Sequence, residues 1–195
     1  MDDFHLYYPI GVHHILDWEA YDHILFIFVL CCSYAWKDWK KILVLVTAFT
    51  IGHSITLALS VLHLLYLPSV WVEFLIPITI ALTALGNLLR KEPYHQKNLT
   101  SYGLAMVFGF IHGMGFASAL RSMLGKESNI FMPLLSFNLG LETGQIIVVI
   151  GILFISTCFL FLTKWSQGSW NRVFSFLIFF IALYLAYIRF PTTNI

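Results

Sequence analysis

Long apolar stretches separated by short polar segments constrain the fold of this chain more than any other feature. Each stretch has the roughly 20 apolar residues that an α-helix needs to cross a bilayer. The chain is 59% hydrophobic and 11% charged, whereas soluble domains carry about a quarter charged residues. We therefore predict one all-α domain over residues 1–195, a polytopic transmembrane helix bundle with about six spans. The predicted spans are 20–36, 42–65, 70–89, 101–123, 131–163 and 172–190.

Two segments depart from this simple pattern. Residues 7–19 predict a short N-terminal helix that lies in the membrane interface or dips inward (re-entrant). The fifth stretch, 131–163, is too long for one perpendicular crossing and contains Pro133 and the pair Gly140 and Gly144. It predicts a helix that is tilted or broken near its start.

The positive charges predict the orientation. Eight Lys and Arg residues fall in loops at one end of the predicted spans and three at the other, so the positive-inside rule places the first end in the cytoplasm. The sequence thus predicts a multi-pass inner-membrane protein with both termini on the exterior, periplasmic side. The first set is Lys37, Lys40, Lys41, Arg90, Lys91, Lys97, Lys164 and Arg172, and the second is Arg121, Lys126 and Arg189.

Three histidines from separate predicted spans fall at a common depth. His23 lies about 13 residues from the inner end of its span, His53 about 12 residues beyond Lys41, and His112 about 11 residues into the fourth span. At about 1.5 Å of rise per residue, all three lie roughly 16–20 Å from the cytoplasmic end. We therefore expect these imidazoles to meet near the middle of the membrane.

Carboxylates accompany this histidine layer. Asp22 adjoins His23, Glu142 lies in the outer part of the fifth span, and helical spacing places His13 and Asp17 on one face. A charged side chain deep in a bilayer costs about 2.5–3.5 kcal/mol, so such groups are expected to face inward and to be paired. Neutral imidazole with Asp or Glu is a donor set for Zn²⁺, Ni²⁺ or Co²⁺. The candidate ligands are His14, Asp22, His23, His53, His112 and Glu142, and the candidates to orient them are Asp17, Ser54, Asn138 and Gln145.

Other polar residues have simpler interpretations. Glu73 is read equally as a site carboxylate or as a surface group at a helix start, where the helix dipole favours it. Asn87 is interpreted as a hydrogen-bonding residue between helices, and Gly109-x-x-x-Gly113 as a helix-packing motif. A net charge of +1, without a basic run or a glycine-rich phosphate loop, gives no indication of nucleic-acid binding.

The ordered set of motifs resembles the HupE/UreJ family of small bacterial membrane proteins. The matching segments are His14-Ile15, Asp22-His23 before ILFIF, TAFTIGHSITLAL, Val72-Glu73, Gly86-Asn87-Leu88, FGFIHGMGFA and FNLGLETGQ. The resemblance implies a nickel or cobalt permease, or an accessory protein linked to hydrogenase or urease. The residues that it carries over are His14, Asp22, His23, His53, Ser54, His112, Asn138 and Glu142. The chain departs from the pattern at residues 18–21, where a shorter spacer containing glycine is expected.

Three functions remain open from the sequence. The first is a metal permease or metal-delivery protein that captures an ion at His13, His14 and Asp17. The second is an intramembrane zinc-dependent hydrolase, with Asp22 or Glu142 as general base and Ser54 as a donor to the oxyanion. The third is a membrane assembly protein with a structural metal. Expected partners are the metal ion, the lipid bilayer, and either a second copy of the chain or a metalloenzyme-maturation protein.

Overall fold

The computed structural model describes residues 3–89, 99–124 and 130–191, and it shows only helices within them. Arg90, Lys91, Lys97 and Lys126, which entered the charge count, lie outside the described residues. The all-α bundle predicted from the sequence is confirmed. The α-helices of the described residues are α1 (Asp3–Leu16), α2 (Tyr21–Cys31), α3 (Trp39–Val61), α4 (Ser69–Leu89), α5 (Leu99–Leu124), α6 (Phe131–Thr163) and α7 (Gln167–Ile188).

Five of these helices, α3 to α7, are long and apolar enough to cross a membrane. The first predicted span, 20–36, differs because α2 has 11 residues, about 16 Å of helix against a hydrocarbon core of about 30 Å. After Cys31 the chain leaves the helix and reaches a short 3-10 helix at Trp36–Asp38. The Gln167 side chain donates hydrogen bonds to the carbonyl oxygens of Cys32 and Tyr34, at 3.0 Å each. These contacts satisfy backbone groups that a longer helix would have bonded internally.

The N-terminal helix α1 dips into the bundle alongside α6. It begins at Asp3 and ends at Leu16, so both of its ends come earlier in the chain than the ends of the predicted segment 7–19. A β-carbon at Gly140 would overlap the carbonyl oxygen of Tyr8, and one at Gly144 would lie 2.9 Å from the β-carbon of Ile15. Tyr8 therefore faces Gly140 and Ile15 faces Gly144, so the two helices run parallel with their backbones in close contact.

Glycines also bring α3 and α5 together. A β-carbon at Gly52 would overlap the carbonyl oxygen of Met106, and one at Gly109 would overlap that of Phe49. A β-carbon at Gly113 would overlap the carbonyl oxygen of His53. Small residues four apart permit this approach, so the packing interpretation of Gly109-x-x-x-Gly113 is confirmed. The contact holds the middle of α3 against the middle of α5.

The remaining long helices complete the bundle. Helix α4 packs against α7 in the antiparallel sense, since Phe74 lies 5.4 Å from Phe190 between ring centroids while Asn87 bonds Ser175 at 3.2 Å. Helix α6 runs through 33 residues, including Pro133, as one helix. At about 50 Å it is longer than the hydrocarbon core is thick. The expected break is absent from this helix, and its length requires tilt or extension beyond the hydrocarbon.

Candidate metal centre

Four histidines on four helices converge inside the bundle. His14 comes from the last turn of α1, His23 from the first turn of α2, His53 from the middle of α3, and His112 from the middle of α5. Ring centroids lie 4.7 Å apart for His14 and His23, 6.0 Å for His14 and His53, and 5.3 Å for His23 and His112. We call these four residues the imidazole cluster.

Three members of the imidazole cluster are arranged so that one ion can contact all of them. One ring nitrogen from each of His14, His23 and His53 lies within 4.8 Å of the others. Ligand atoms around a four-coordinate ion at about 2.0–2.1 Å are separated by less than about 4 Å, so a small side-chain movement suffices to close the set. The ring of His112 is the nearest additional imidazole, beside His23.

Most ring nitrogens of the imidazole cluster lack a hydrogen-bond partner among the described residues. Both nitrogens of His23 and of His53 are buried without one, as are Nε2 of His14 and Nε2 of His112. His112 Nδ1 is 2.9 Å from the Phe108 carbonyl oxygen. A carbonyl only accepts, so Nδ1 carries the proton and Nε2 presents its lone pair to the cluster.

This pattern fits a metal ion. Buried polar atoms are nearly always satisfied, and six orphaned ring nitrogens in one place are a large exception. A divalent transition ion accepts several imidazole lone pairs at once, and imidazole suits nickel, cobalt and zinc alike. The hydrogen bond from His112 to the backbone is the outer contact that typically fixes the tautomer of a metal ligand.

Aromatic rings surround the imidazole cluster. Phe116 lies 4.2 Å from His14 between ring centroids and stacks on Phe137 at 5.0 Å. On the opposite side, Phe49 lies 5.1 Å from His112 and Phe26 lies 5.5 Å from it. These apolar walls exclude water, which strengthens any electrostatic contact formed inside them.

Asp22 adjoins the imidazole cluster but is held by a residue that the sequence analysis missed. Arg189, which follows α7, donates from Nη1 to Asp22 Oδ2 at 2.8 Å and from Nη2 to the Tyr21 hydroxyl at 3.0 Å. Burial acts to lower the pKa of Arg189, but its hydrogen bond and charge pairing with Asp22 outweigh this effect and hold the pKa above its usual value. The other carboxylate oxygen, Oδ1, is buried without a partner in the described part of the chain.

Glu142 and Gln145 bond to α3 rather than to the imidazoles. Thr47 donates to Glu142 Oε1 at 2.6 Å, and Thr50 donates to Gln145 Oε1 at 2.8 Å. Thr50 and Thr47 precede His53 by three and six residues on α3. The two pairs therefore continue from the imidazole cluster for about 9 Å toward the start of α3. Glu142 was predicted on the outer side of the histidine layer, whereas its contact with Thr47 places it on the side of Lys40 and Lys41.

The other predicted site residues have local contacts. Ser54 donates to the Thr50 carbonyl at 2.6 Å, and Asn138 donates to the Leu134 carbonyl at 2.8 Å, each within its own helix. The prediction that His13 and Asp17 share a face is confirmed, since His13 Nδ1 lies 3.9 Å from Asp17 Oδ2 with the two side chains 78% and 38% exposed. Glu73 is exposed at the start of α4, which agrees with its interpretation as a surface group.

Arg189, Thr47 and Thr50 carry no local signal that marks them as neighbours of the site. Arg189 and Asp22 are 167 residues apart, and Thr47 and Glu142 are 95 residues apart. The charge count placed Arg189 at the same end as the entrance segment, and this was the only available indication.

Comparison with known proteins identifies a family. A family model described as HupE / UreJ protein matches residues 1–190 of the 195-residue chain. No curated protein and no solved structure matches it. The match covers every helix described above.

Proposed function

This chain belongs to the HupE/UreJ family of nickel- and cobalt-related membrane proteins, and from that premise we propose that the imidazole cluster binds a divalent transition-metal ion as cargo. The protein then acts as a nickel- or cobalt-type permease, or delivers the ion to a metalloenzyme-maturation partner. The observation that carries this proposal is the set of orphaned ring nitrogens on His14, His23, His53 and His112.

The donor type favours a borderline ion over a hard one. Imidazole nitrogen binds nickel, cobalt and zinc well, whereas magnesium and calcium prefer oxygen donors. The buried thiols Cys31 and Cys32, which a copper(I) site would use, belong to the far end of α2 from His23. We therefore expect Ni²⁺, Co²⁺ and Zn²⁺ to compete for the same site, with selectivity set by its geometry.

Polar groups line a route on both sides of the imidazole cluster. On one side, His13 and Asp17 lie on the exposed face of α1, next to His14. On the other side, the pairs of Thr50 with Gln145 and Thr47 with Glu142 supply oxygen atoms. A conduction path needs several sites of modest affinity in sequence, so that an ion is held but also released.

The positive-inside rule predicts the direction in which the ion crosses the membrane. The end of the bundle that carries Lys37, Lys40 and Lys41 faces the cytoplasm, so His13 and Asp17 face the exterior of the inner membrane. The ion then enters from the exterior and leaves past Thr47 and Glu142. A metalloenzyme-maturation protein is the predicted receiver for delivery, and a second copy of the chain is the other predicted partner.

The decisive experiment combines elemental analysis with uptake into proteoliposomes. Wild-type protein is expected to retain about one Ni²⁺ or Co²⁺ per chain and to raise Ni²⁺ uptake above empty vesicles. His53→Ala is expected to abolish both, because it removes a central ligand. His63→Asn is the matched control, since His63 is exposed and has a φ of 59°, a conformation that asparagine tolerates.

Each result of this experiment has a definite meaning. Purified wild-type protein that takes up no transition metal would end the proposal of a metal site. Bound metal without Ni²⁺ uptake would contradict the permease and favour delivery, the zinc-dependent hydrolase or the structural metal. Equal metal content in His53→Ala and wild type would exclude the imidazole cluster as the site.

A further inference from the structure

A cavity of about 310 Å³ lies between α2, α3, α4 and α5, and none of the four histidines lines it. It is at the end of the bundle where α3 and α5 begin, because Leu45 and Ser101 are among its lining residues. Its apolar walls are formed by Phe26, Leu30, Leu45, Leu104, Ala105 and Phe108.

Three polar residues at the cavity wall have hydrogen-bond partners within the protein. Ser33 donates to Asn87 Oδ1 at 3.1 Å, and Asn87 donates to the Val29 carbonyl oxygen at 2.8 Å. The Thr83 hydroxyl donates to the Thr79 carbonyl oxygen at 2.9 Å. A ligand in this cavity thus meets mostly hydrocarbon and satisfied polar groups. Such a lining favours an apolar ligand over a hydrated ion.

The cavity opens sideways toward the bilayer. Leu82 of α4 and Leu104 of α5 both line it, yet their exposed fractions are 53% and 47%. Both residues belong to helices that are candidate membrane spans. Residues that line a cavity and also face the surroundings mark its mouth, and the surroundings at this depth are lipid acyl chains.

Packing explains why this gap exists. The backbone contacts described above join α5 to α3, while α4 is joined to α7 through Asn87 with Ser175 and Phe74 with Phe190. Gly86 on α4 contributes to the wall, and a β-carbon there would meet no atom within 4 Å. The two helix pairs therefore leave a cleft that no side chain of the described residues fills.

From these observations we infer that the cavity binds one acyl chain of a phospholipid, inserted sideways between α4 and α5 from the surrounding leaflet. Its volume is about twice the roughly 150 Å³ that accommodates benzene, enough for an alkyl segment of roughly ten carbon atoms. The inner end of the chain contacts Phe26 and Phe108, whose rings lie 6.1 Å apart between centroids. The Phe26 ring also lies 5.5 Å from that of His112 between centroids, so the acyl chain ends one layer of side chains from the imidazole cluster.

Photolabelling in a defined bilayer tests this inference. The full chain is reconstituted into vesicles of phosphatidylethanolamine and phosphatidylglycerol that contain a phosphatidylethanolamine probe with a diazirine near the end of one acyl chain. After irradiation, mass spectrometry maps the labelled peptides. Label is expected to concentrate on the wall residues of α4 and α5, Leu82 to Gly86 and Leu104 to Phe108.

Filling the cavity supplies the matched comparison. Gly86→Leu places a side chain in open space inside the cavity and is expected to lower labelling of the wall residues at least about tenfold. Gly151→Leu is the control, because Gly151 also faces open space but lies on α6, outside the cavity. Gly86→Val, with a smaller side chain, replaces Gly86→Leu if the latter does not fold.

The outcomes separate this inference from the metal proposal. Label that is spread evenly over the lipid-facing residues of α6 and α7, or unchanged wall labelling in Gly86→Leu or its Val replacement, would overturn it. Loss of wall labelling in Gly151→Leu would also overturn it, because the effect would then not depend on the cavity. Metal content in Gly86→Leu is expected to equal that of wild type. Absence of metal from the wild-type protein would contradict only the proposed function.

Discussion

Two buried polar groups of residues in this bundle differ in one decisive respect. The amide cluster of Ser33, Asn87, Asn171 and Ser175 joins α4, α7 and the segment after α2 through five hydrogen bonds between 2.8 and 3.2 Å. The imidazole cluster has a similar burial: His23, His53 and His112 are buried, as Asn87 and Ser175 are. His14 is half-buried, as Ser33 and Asn171 are. Most ring nitrogens of the imidazole cluster nevertheless have no partner among the described residues.

The difference shows how to separate packing residues from binding residues inside a membrane. A polar side chain in a lipid environment is stable where its hydrogen bonds are made within the protein, and the amide cluster meets this condition. The imidazole cluster does not, so its free energy of folding improves when a cation supplies the missing contacts. The two clusters are alike in polarity and burial. They differ in how many of their side-chain nitrogen and oxygen atoms lack a hydrogen-bond partner.

The largest expected effect comes from removing the central imidazole. The ring of His23 is near those of His14, His53 and His112, so His23→Ala is expected to weaken Ni²⁺ binding by more than about 100-fold, beyond the loss typical of an outer contact. Isothermal titration in detergent measures this affinity. Thermal unfolding without metal is expected to change little, because the substitution also removes two unsatisfied buried nitrogens.

A His23→Ala protein that binds Ni²⁺ as tightly as wild type would contradict the distinction between the two clusters. So would strong destabilisation of the metal-free protein, because it would mean that His23 is needed for packing. His63→Asn serves again as the exposed control.

Substitution in the amide cluster is expected to have the opposite effect. Asn87→Leu removes hydrogen bonds to Val29, Ser33 and Ser175 and is expected to destabilise the protein by about 2 kcal/mol, since bonds between membrane helices average about 0.6 kcal/mol each. Reversible unfolding in mixed detergent measures the loss. Ni²⁺ affinity is expected to stay within about twofold of wild type.

The matched control for this substitution is Thr83→Val on the same helix. The Thr83 hydroxyl donates within α4, to the Thr79 carbonyl oxygen. Thr83→Val is therefore expected to lower the free energy of unfolding by less than about 1 kcal/mol. If Asn87→Leu abolished Ni²⁺ binding while the protein stayed folded, the amide cluster would belong to the metal pathway, and the comparison would fail.

The sequence predicts the height of each histidine but not its neighbours. The rise of a helix is fixed at about 1.5 Å per residue, so counting from the ends of the apolar stretches placed His23, His53 and His112 in one layer. The rotation of each helix about its axis, and the order of helices around the bundle, depend on packing between distant segments. Counting therefore did not reveal that Glu142 reaches Thr47 or that Arg189 reaches Asp22.

The predicted length of the first span was wrong for a related reason. Residues 20–36 are apolar enough for a full crossing, and composition alone does not show where a helix stops. Helix α2 ends at Cys31, and the carbonyl oxygens of Cys32 and Tyr34 that follow it accept hydrogen bonds from the amide of Gln167, more than 130 residues away. Glycine spacing was more informative, since Gly109 and Gly113 do lie at a close helix contact.

The smallest expected effect tests the comparison within a single helix. His13 and His14 are adjacent on α1, but the His13 side chain is 78% exposed and lies 3.9 Å from Asp17, whereas Nε2 of His14 is buried at the imidazole cluster. An exposed contact between polar side chains contributes little, so His13→Ala is expected to change Ni²⁺ affinity by no more than about twofold. His14→Ala is its matched partner and is expected to weaken binding more than about 100-fold, as for His23. Equal losses in the two variants would mean that the ion is held at the surface of α1, and that burial of unpaired imidazole nitrogen is not what defines the site.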